Sequence, residues 1–464
     1  MTKKEHSPNL NRVHFVGIGG IGMSALVRWF LAKKWLVSGS DLVESQITDS
    51  LRKVGVRVKI GHKRVNLPQN GLKMVVYSQA IHHDNPELLE ARKLGIIPLS
   101  YGEAVGCLTK IYKTIAIAGS HGKSTTTALV GIVLSAAKFD PNVILGTNLK
   151  EFHGTNFRQG RSRWLVLEAD EWKASFLNYF PFITVVTNID KEHLDYYKTF
   201  GNVKKTFLKF LGNTEDGGFL ILNRDDKILF SLQSSILKLT RQKKLKVHWY
   251  SVSKTQSEKR KAKSLGKILK ISGEHNISNA MAAFTVAKVL RIKESIATGA
   301  LANFQGAWRR MEYKGKWQIA NSKSILVFDD YAHHPTEIRA TLRAFHEKFS
   351  TSPIVCVYQP HQAERLKNLF SEFVDSFLDA HVLIFLPVYE VAGRDRVNRG
   401  FTSERLAKAI AKKYSRKHVY YLKNPKLLKG FLRHIVEHFG FTHSPILVMM
   451  GAGDIVKYTP LLLS

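Results

Sequence analysis

A chain of 464 residues predicts about three domains on a prior of roughly 150 residues each, and 44% hydrophobic with 10% aromatic residues is enough for packed cores. No apolar run approaches the roughly 18 residues needed to span a bilayer, and two cysteines, Cys107 and Cys356, without a CxxC pair exclude a disulfide framework and a cysteine zinc site and suit a reducing cytosol. The formal charge of +33 is spread along the chain instead of gathered on one face or tail, which argues against specific nucleic-acid binding and is compatible with anionic small substrates.

In chain order, the amino-terminal Met1-Thr2-Lys3-Lys4-Glu5-His6 offers no apolar stretch before Val13, so no signal sequence and a cytoplasmic location are expected. From Val13 to about Val105, strand and helix alternate. Strands are predicted over 13–16, 36–41, 57–60 and 74–77, with a glycine turn and an amphipathic helix over 25–34 between the first two. Such alternation predicts a parallel sheet wound by right-handed crossovers. A second α/β unit runs from about Gly106 to Asn303, with apolar strands over 114–118, 164–167 and 182–187. From about Phe304 the alternation restarts, with buried strands expected over 325–328, 354–358, 382–386 and 446–450. The expected domains are therefore 1–105, 106–303 and 304–464, all of α/β class. The Lys- and Arg-rich stretch from Arg241 to Lys270 reads as a surface loop or hairpin. No internal repeat or low-complexity segment stands out.

Two glycine turns follow strands. Gly17-Ile18-Gly19-Gly20-Ile21-Gly22 fits GxGxxG, with Asp41 placed roughly where a dinucleotide fold carries its ribose-binding acid. The physics of that turn promises only a diphosphate on a helix N-terminus, so NAD and a nucleotide-sugar diphosphate both satisfy it. Gly119-Ser120-His121-Gly122-Lys123-Ser124, followed by Thr125, lies between a buried strand and a helix and forms a shortened triphosphate cradle. There the backbone N–H groups hold oxyanions, Lys123 supplies a point charge and the Ser124 hydroxyl can ligate Mg²⁺.

Carboxylates stand at the ends of the next two strands, in Glu168-Ala169-Asp170-Glu171 and in the segment Asn188-Ile189-Asp190-Lys191-Glu192-His193-Leu194-Asp195. Mg²⁺ takes one or two protein oxygens and fills its shell with phosphate and water, so ligands belong there. His193 reads either as a ligand or as a surface hydrogen-bonding group. The helix headed by Gly273-Glu274-His275-Asn276-Ile277-Ser278-Asn279 offers either caps or amide recognition of adenine. Arg309-Arg310 is either a phosphate fork or a salt-bridged turn. The last unit adds Asp330-Tyr331-Ala332-His333-His334-Pro335-Thr336-Glu337, with Pro335 suited to a helix first turn, then Gln359-Pro360-His361 with Arg365, and Gly451-Ala452-Gly453-Asp454.

In their order and spacing, His14 to Ser24, Asp84-Asn85-Pro86-Glu87-Leu88, Glu168 to Glu171, Asp330 to Glu337 and Gln359-Pro360-His361 resemble the Mur ligase family across nearly the whole chain. The resemblance implies an N-terminal Rossmann-like domain for a UDP-sugar, a central P-loop-type ATPase domain and a C-terminal Rossmann-like domain. It implies an ATP- and Mg²⁺-dependent ligase of peptidoglycan synthesis that joins L-alanine to the muramyl carboxylate of UDP-N-acetylmuramate through an acyl phosphate. By position it implies Gly119 to Thr125 on the ATP phosphates, with Lys123, His193 and Arg309 catalytic and Ser124, Glu168 and His193 as metal ligands. His275, Asn276 and Asn279 would surround the adenine, and Arg309 and Asp330 would reach phosphate and ribose. Gly17, Gly19, Gly20, Gly22, Met23, Asp41 and Ser78 would contact the sugar nucleotide, and Tyr331, His333, His334, His361 and Arg365 would lie toward the amino acid. It also implies a monomer or weak homodimer with no nucleic-acid or membrane partner.

Ser120 and Ser124 stand where the family usually has Thr, Trp172-Lys173 replace small polar and acidic residues, and Gln362 replaces a frequent Arg, which bears on the choice of amino acid. Lys204 and Lys205 fall near where several members carry a carbamylated lysine, and that modification is not assigned here. The competing readings are a tripeptide-adding recycling ligase of the same family, an NAD-dependent oxidoreductase, and a nucleic-acid-binding NTPase.

Overall fold

The computed structural model describes residues 11–319, 323–390, 400–439, 441 and 443–463. The amino-terminal stretch Met1 to His6 lies outside them. Three sheets follow one another along the chain, each wound with helices, as the alternation predicts.

The first sheet comprises β1 (Arg12–Val16), β2 (Leu36–Asp41), β3 (Arg57–Ile60), β4 (Leu72–Tyr77) and β5 (Leu99–Ser100), all parallel and in the order β3-β2-β1-β4-β5. The second comprises β6 (Lys113–Ala118), β7 (Asn142–Leu149), β8 (Thr155–Arg158), β9 (Trp164–Glu168), β10 (Ile183–Val186), β11 (Phe219–Asn223) and β12 (Lys246–Tyr250). Its order is β12-β11-β10-β6-β9-β7-β8, with β8 antiparallel to β7 at one edge. The third comprises β13 (Glu312–Ile319), β14 (Lys323–Asp330), β15 (Ile354–Tyr358), β16 (Val382–Phe385), β17 (His418–Tyr421) and β18 (Ile446–Met450). Its order is β13-β14-β18-β15-β16-β17, with only β13 antiparallel.

Sheets covered on both faces need near-continuous apolar strands, and β6, β10, β15 and β18 are of that kind, buried almost along their whole length. The strand orders place the chemistry. β1 lies between β2 and β4, and β6 lies between β10 and β9, so each glycine turn leaves a central strand at a point where the winding changes direction, which is where open sheets bind ligands.

The chain forms two compact units, one of Met1–Ile268 with Ser278–Phe304 and one of Leu269–Ile277 with Gln305–Ser464. The first two sheets belong to one unit because their elements interlock. Asn156 of β8 donates from Nδ2 to the Ile21 carbonyl at 2.5 Å, at the head of the Ile21–Ala32 helix. The Tyr101–Ile111 helix packs on the Trp172–Asn178 turn so closely that a Cβ on Gly106 would sit 2.5 Å from the Asn178 carbonyl oxygen.

One expectation is corrected. The segment from Arg241 to Lys270 is not a loop or hairpin but the end of the Gln233–Lys243 helix, β12 and the Gln256–Ile268 helix. Lys, Arg and Glu are good helix formers, and Ala262 and Leu265, three residues apart, supply a narrow buried stripe. Thr255 and Glu258 close a capping box at its start, with the Glu258 N–H donating to Thr255 Oγ1 at 3.2 Å and the Thr255 N–H donating to Glu258 Oε2 at 2.9 Å.

Gly106→Ala should force the Tyr101–Ile111 helix off the Trp172–Asn178 turn and cost about 1–3 kcal/mol, as overpacking does. Chemical denaturation of wild type and variant checks this, and equal midpoints would contradict the packing described.

Candidate active site

The second turn is pressed into its neighbours. Gly119 (φ 139°) has no room for a side chain, since a Cβ would lie 2.0 Å from Thr187 Oγ1, and at Gly122 (φ 81°) it would lie 2.5 Å from Asn279 Oδ1. The strand end after β10 then fixes the turn. Ser120 N–H donates to the Asn188 carbonyl at 3.1 Å, His121 N–H donates to Asn188 Oδ1 at 2.8 Å, and Thr187 Oγ1 donates to the His121 carbonyl at 2.6 Å. His121 Nε2 lies 3.0 Å from Asp190 Oδ2, and Ser120 Oγ accepts from Asp190 N–H at 2.8 Å. The Lys123–Ala136 helix opens immediately after, so its first N–H groups have no acceptor within the helix and face outward as an anion site.

Around this cradle stand the carboxylates of the β9 end. Ser124 Oγ donates to Glu168 Oε1 at 2.9 Å, while Glu168 Oε2 accepts from Gly146 N–H at 2.7 Å. Lys123 Nζ is 2.7 Å from Glu171 Oε2 and also donates to the Gly119 carbonyl at 2.6 Å. Burial alone would lower the Lys123 pKa, but Glu171, Asp170 and Glu168 outweigh it and hold the ammonium above the ordinary lysine value. Burial pushes the Glu171 carboxyl up to about 7, with Asp170 adding to the rise and Lys123 opposing it. Asp170, Glu171 and His193 bring one ligand atom each within 4.8 Å of one another.

These groups fit a triphosphate with a hard divalent cation. The donor set is oxygen-rich, Ser124 and Glu168 are already in contact, and Asp170, Glu171 and His193 form a second group able to hold a cation. His193 thus stands with Asp170 and Glu171, and the sequence reading had not singled out Glu171 for a role at Lys123. Asn279 lies over the turn, accepting from Thr126 Oγ1 at 3.2 Å.

The first turn uses a different set of contacts. Gly17 (φ 79°) would clash with Ser78 Cβ at 2.9 Å if it bore a Cβ, and Gly22 lies under the Tyr101 ring, where a Cβ would come within 3.2 Å. Gly17 and Ile18 N–H groups both donate to the Ser40 carbonyl, at 2.8 and 3.0 Å, and Gly19 N–H donates to Asp41 Oδ2 at 2.8 Å. Asp41 therefore holds the turn itself. The groups left for an anion are the helix-opening N–H groups around Ile21, Gly22 and Met23, with Gly20 at the N-cap.

In the other unit, the carboxyl ends of β14, β15 and β18 gather a second cluster. The Arg309 backbone is left-handed (φ 55°), and its buried guanidinium donates to the Gly451 carbonyl and lies 5.1 Å from the Tyr331 ring centre. Asp330 accepts from Met311 N–H and Ala332 N–H, both at 2.8 Å, so both of its oxygens are engaged within the protein. His333 lies 5.2 Å from Tyr331 and 5.9 Å from His361 between ring centres, and His361 stacks on Tyr389 at 5.5 Å, with Arg365 Nη1 3.5 Å away. His334 caps the Pro335–Lys348 helix by accepting from Thr336 N–H at 3.3 Å. Asn276 Nδ2 donates to the Ser272 carbonyl at 2.7 Å. Burial pulls the His275 imidazole down to about 4, and Arg310 adds to that. Tyr389 was not singled out by the sequence reading, since only its stacking on His361 marks it.

Three family profiles match consecutive parts of the chain: the Mur ligase family catalytic domain over residues 12–113, the Mur ligase middle domain over 117–287 and the Mur ligase glutamate ligase domain over 309–438. The chain is 35% identical to the UDP-N-acetylmuramate–L-alanine ligase of Clostridium perfringens, covering 97% of each chain. It is 38% identical to the ligase of that name from Pelobacter propionicus, covering 96% of each. The crystal structure of the UDP-N-acetylmuramate–alanine ligase of Thermotoga maritima superposes with a TM-score of 0.76 at 24% identity, covering 97% of this chain and 98% of that one. The chain belongs to the Mur ligase family.

Because His275 stays neutral in the fold to about pH 4 while an unfolded histidine takes up a proton near 6.5, stability should be lost as pH falls through that window. The loss attributable to this residue should reach about 3 kcal/mol. Denaturant midpoints at pH 7.5 and pH 5 for wild type and His275→Gln check it, and an equal acid loss in both would contradict a His275 held neutral in the fold.

Proposed function

We propose that the chain is an ATP-dependent ligase that joins L-alanine to the muramyl carboxylate of UDP-N-acetylmuramate in peptidoglycan precursor synthesis. The observation that carries this reading is its identity, over nearly the full length of both chains, to ligases of that name. The phosphate turn, with Lys123, Ser124 and Glu168 in mutual reach, supports it. In this reading 1–105 binds the UDP-sugar, 106–303 binds ATP and 304–464 carries the residues for the amino acid.

A carboxylate is a poor electrophile at neutral pH, and bound ATP with Mg²⁺ supplies the phosphoryl group that turns it into an acyl phosphate. Within Gly119 to Thr125, the helix-opening N–H groups from Gly122 onward would hold the triphosphate, and Lys123 would place its charge where negative charge accumulates during transfer. The Lys123 ammonium, which lies against Glu171, is the side-chain cation that would meet phosphate oxygens. Ser124 and Glu168 would hold one cation, and Asp170, Glu171 and His193 would hold a second. The helix N-terminus at Gly20 to Met23 binds the diphosphate of the UDP-sugar. Asn279, with His275 and Asn276, serves the adenine, and Arg309 and Asp330 serve phosphate and ribose. Tyr331, His333, His361 and Arg365 would orient the amino acid so that its neutral amine attacks the activated carbonyl carbon, the C–N bond forming as the acyl C–O bond breaks, with phosphate leaving and the amine losing a proton. The protein acts as a monomer or weak homodimer in the cytoplasm, without nucleic acid.

Phosphate release from ATP with UDP-N-acetylmuramate should require L-alanine and proceed more slowly with glycine, serine or a tripeptide. Turnover that needs the tripeptide would shift the function to the recycling ligases, and turnover without any amine dependence would sink the reading. Lys123→Ala should lower kcat at least ~10³-fold while UDP-sugar affinity stays within about threefold.

A further inference from the structure

The Asp84-Asn85-Pro86-Glu87 motif has no place in the site described above, yet it is built around a charge with no exposed surface. Asn85 caps the Pro86–Lys93 helix by accepting from Glu87 N–H at 2.9 Å, and Pro86 occupies the first helical position. This places Glu87, which is 0% exposed, on the first turn of that helix with its carboxylate directed back into the first sheet.

The carboxylate is fully used. Oε2 accepts from His14 Nε2 at 2.9 Å and from Ser40 Oγ at 2.6 Å, and Oε1 accepts from Asn66 Nδ2 at 2.6 Å and from Lys63 N–H at 3.0 Å. An ionised carboxylate only accepts, so the protons are assigned. His14 carries one on Nε2, with Nδ1 facing Ser38 Oγ at 2.9 Å, and the Ser40 hydroxyl, whose O–H donates to Glu87, accepts from His62 Nδ1 at 2.9 Å. Burial would raise the Glu87 pKa, but the hydrogen bonds from His14, Ser40 and Asn66, with the His62 ring 3.7 Å away, outweigh it and hold the carboxyl well below the ordinary range.

Ser40 links this network to the first glycine turn. Its hydroxyl is on Glu87, its carbonyl receives the N–H groups of Gly17 and Ile18, and the next residue, Asp41, receives that of Gly19. Three successive turn N–H groups therefore hang from the end of β2, and the position of that end is set by a buried charge on another helix. A buried ion costs several kcal/mol to desolvate, while apolar contacts alone would hold the strands together. What the carboxylate adds is a single permitted register.

We infer that Glu87 is a positioning residue for the sugar-nucleotide site, fixing through Ser40 the turn whose helix N-terminus receives the diphosphate. This rests on the reading of that turn given under Proposed function. A glutamine at 87 keeps the shape but turns one acceptor into a donor, facing groups that already donate.

The experiment compares wild type, Glu87→Gln and Ser40→Ala, each well below its own thermal midpoint, by steady-state kinetics and by calorimetric titration with UDP-N-acetylmuramate. For Glu87→Gln, KM and Kd for UDP-N-acetylmuramate should rise at least ~10-fold, while KM for ATP and for alanine and the saturated kcat stay within about twofold. Ser40→Ala should move in the same direction by about threefold. A folded Glu87→Gln with unchanged UDP-sugar affinity, or with ATP affinity lost in parallel, would overturn the inference. If Glu87→Gln does not fold, an unchanged UDP-sugar KM in Ser40→Ala overturns it equally. A wild type that turns over while both variants match it rejects the positioning role alone, whereas a wild type that does not bind UDP-N-acetylmuramate rejects the reading of the turn and the inference with it.

Discussion

Both glycine turns obey one constraint: their early N–H groups are tied to the end of a neighbouring strand, and only the helix-opening N–H groups are left for a ligand. In the first, Ser40 and Asp41 of β2 take the donors of Gly17, Ile18 and Gly19. In the second, Asn188 beyond β10 takes those of Ser120 and His121. A glycine-rich turn is expensive to order because its backbone has so many alternatives. Fastening it before any ligand arrives means that binding energy is not spent on ordering the loop.

The surroundings of the two turns differ in charge, and that divides their work. The second is ringed by Glu168, Asp170 and Glu171, a concentration of negative charge that would repel a polyphosphate unless cations stood between them. Lys123 supplies one such cation and the carboxylates are placed to hold others. At the first turn Asp41 is already engaged with Gly19, and the buried charge at Glu87 is matched by four donors.

Most of the architecture was legible in the sequence because buried parallel strands are nearly continuous apolar runs and each turn carries its own glycine spacing. Strands such as 114–118 and 354–358 fall where the composition puts them. What escaped reading depends on partners distant in sequence. Nothing near Asp41 or Asp330 reveals that the first accepts from Gly19 N–H and the second from Met311 N–H. Glu171 is one carboxylate among several until the fold sets it against Lys123. The basic stretch after Arg241 hides its helix for another reason. Its charge density masked a helix whose buried stripe is only Ala262 and Leu265, although the Thr255–Glu258 capping box stood in plain view.

The central claim is that ATP bound at the second turn is spent on a carboxylate presented from the first. Turnover of UDP-N-acetylmuramate labelled with ¹⁸O in its muramyl carboxylate, followed by mass analysis of the released phosphate, tests it most directly. Passage through an acyl phosphate predicts one carboxylate oxygen in each phosphate formed. Released phosphate without label, at normal amide yield, would contradict the account.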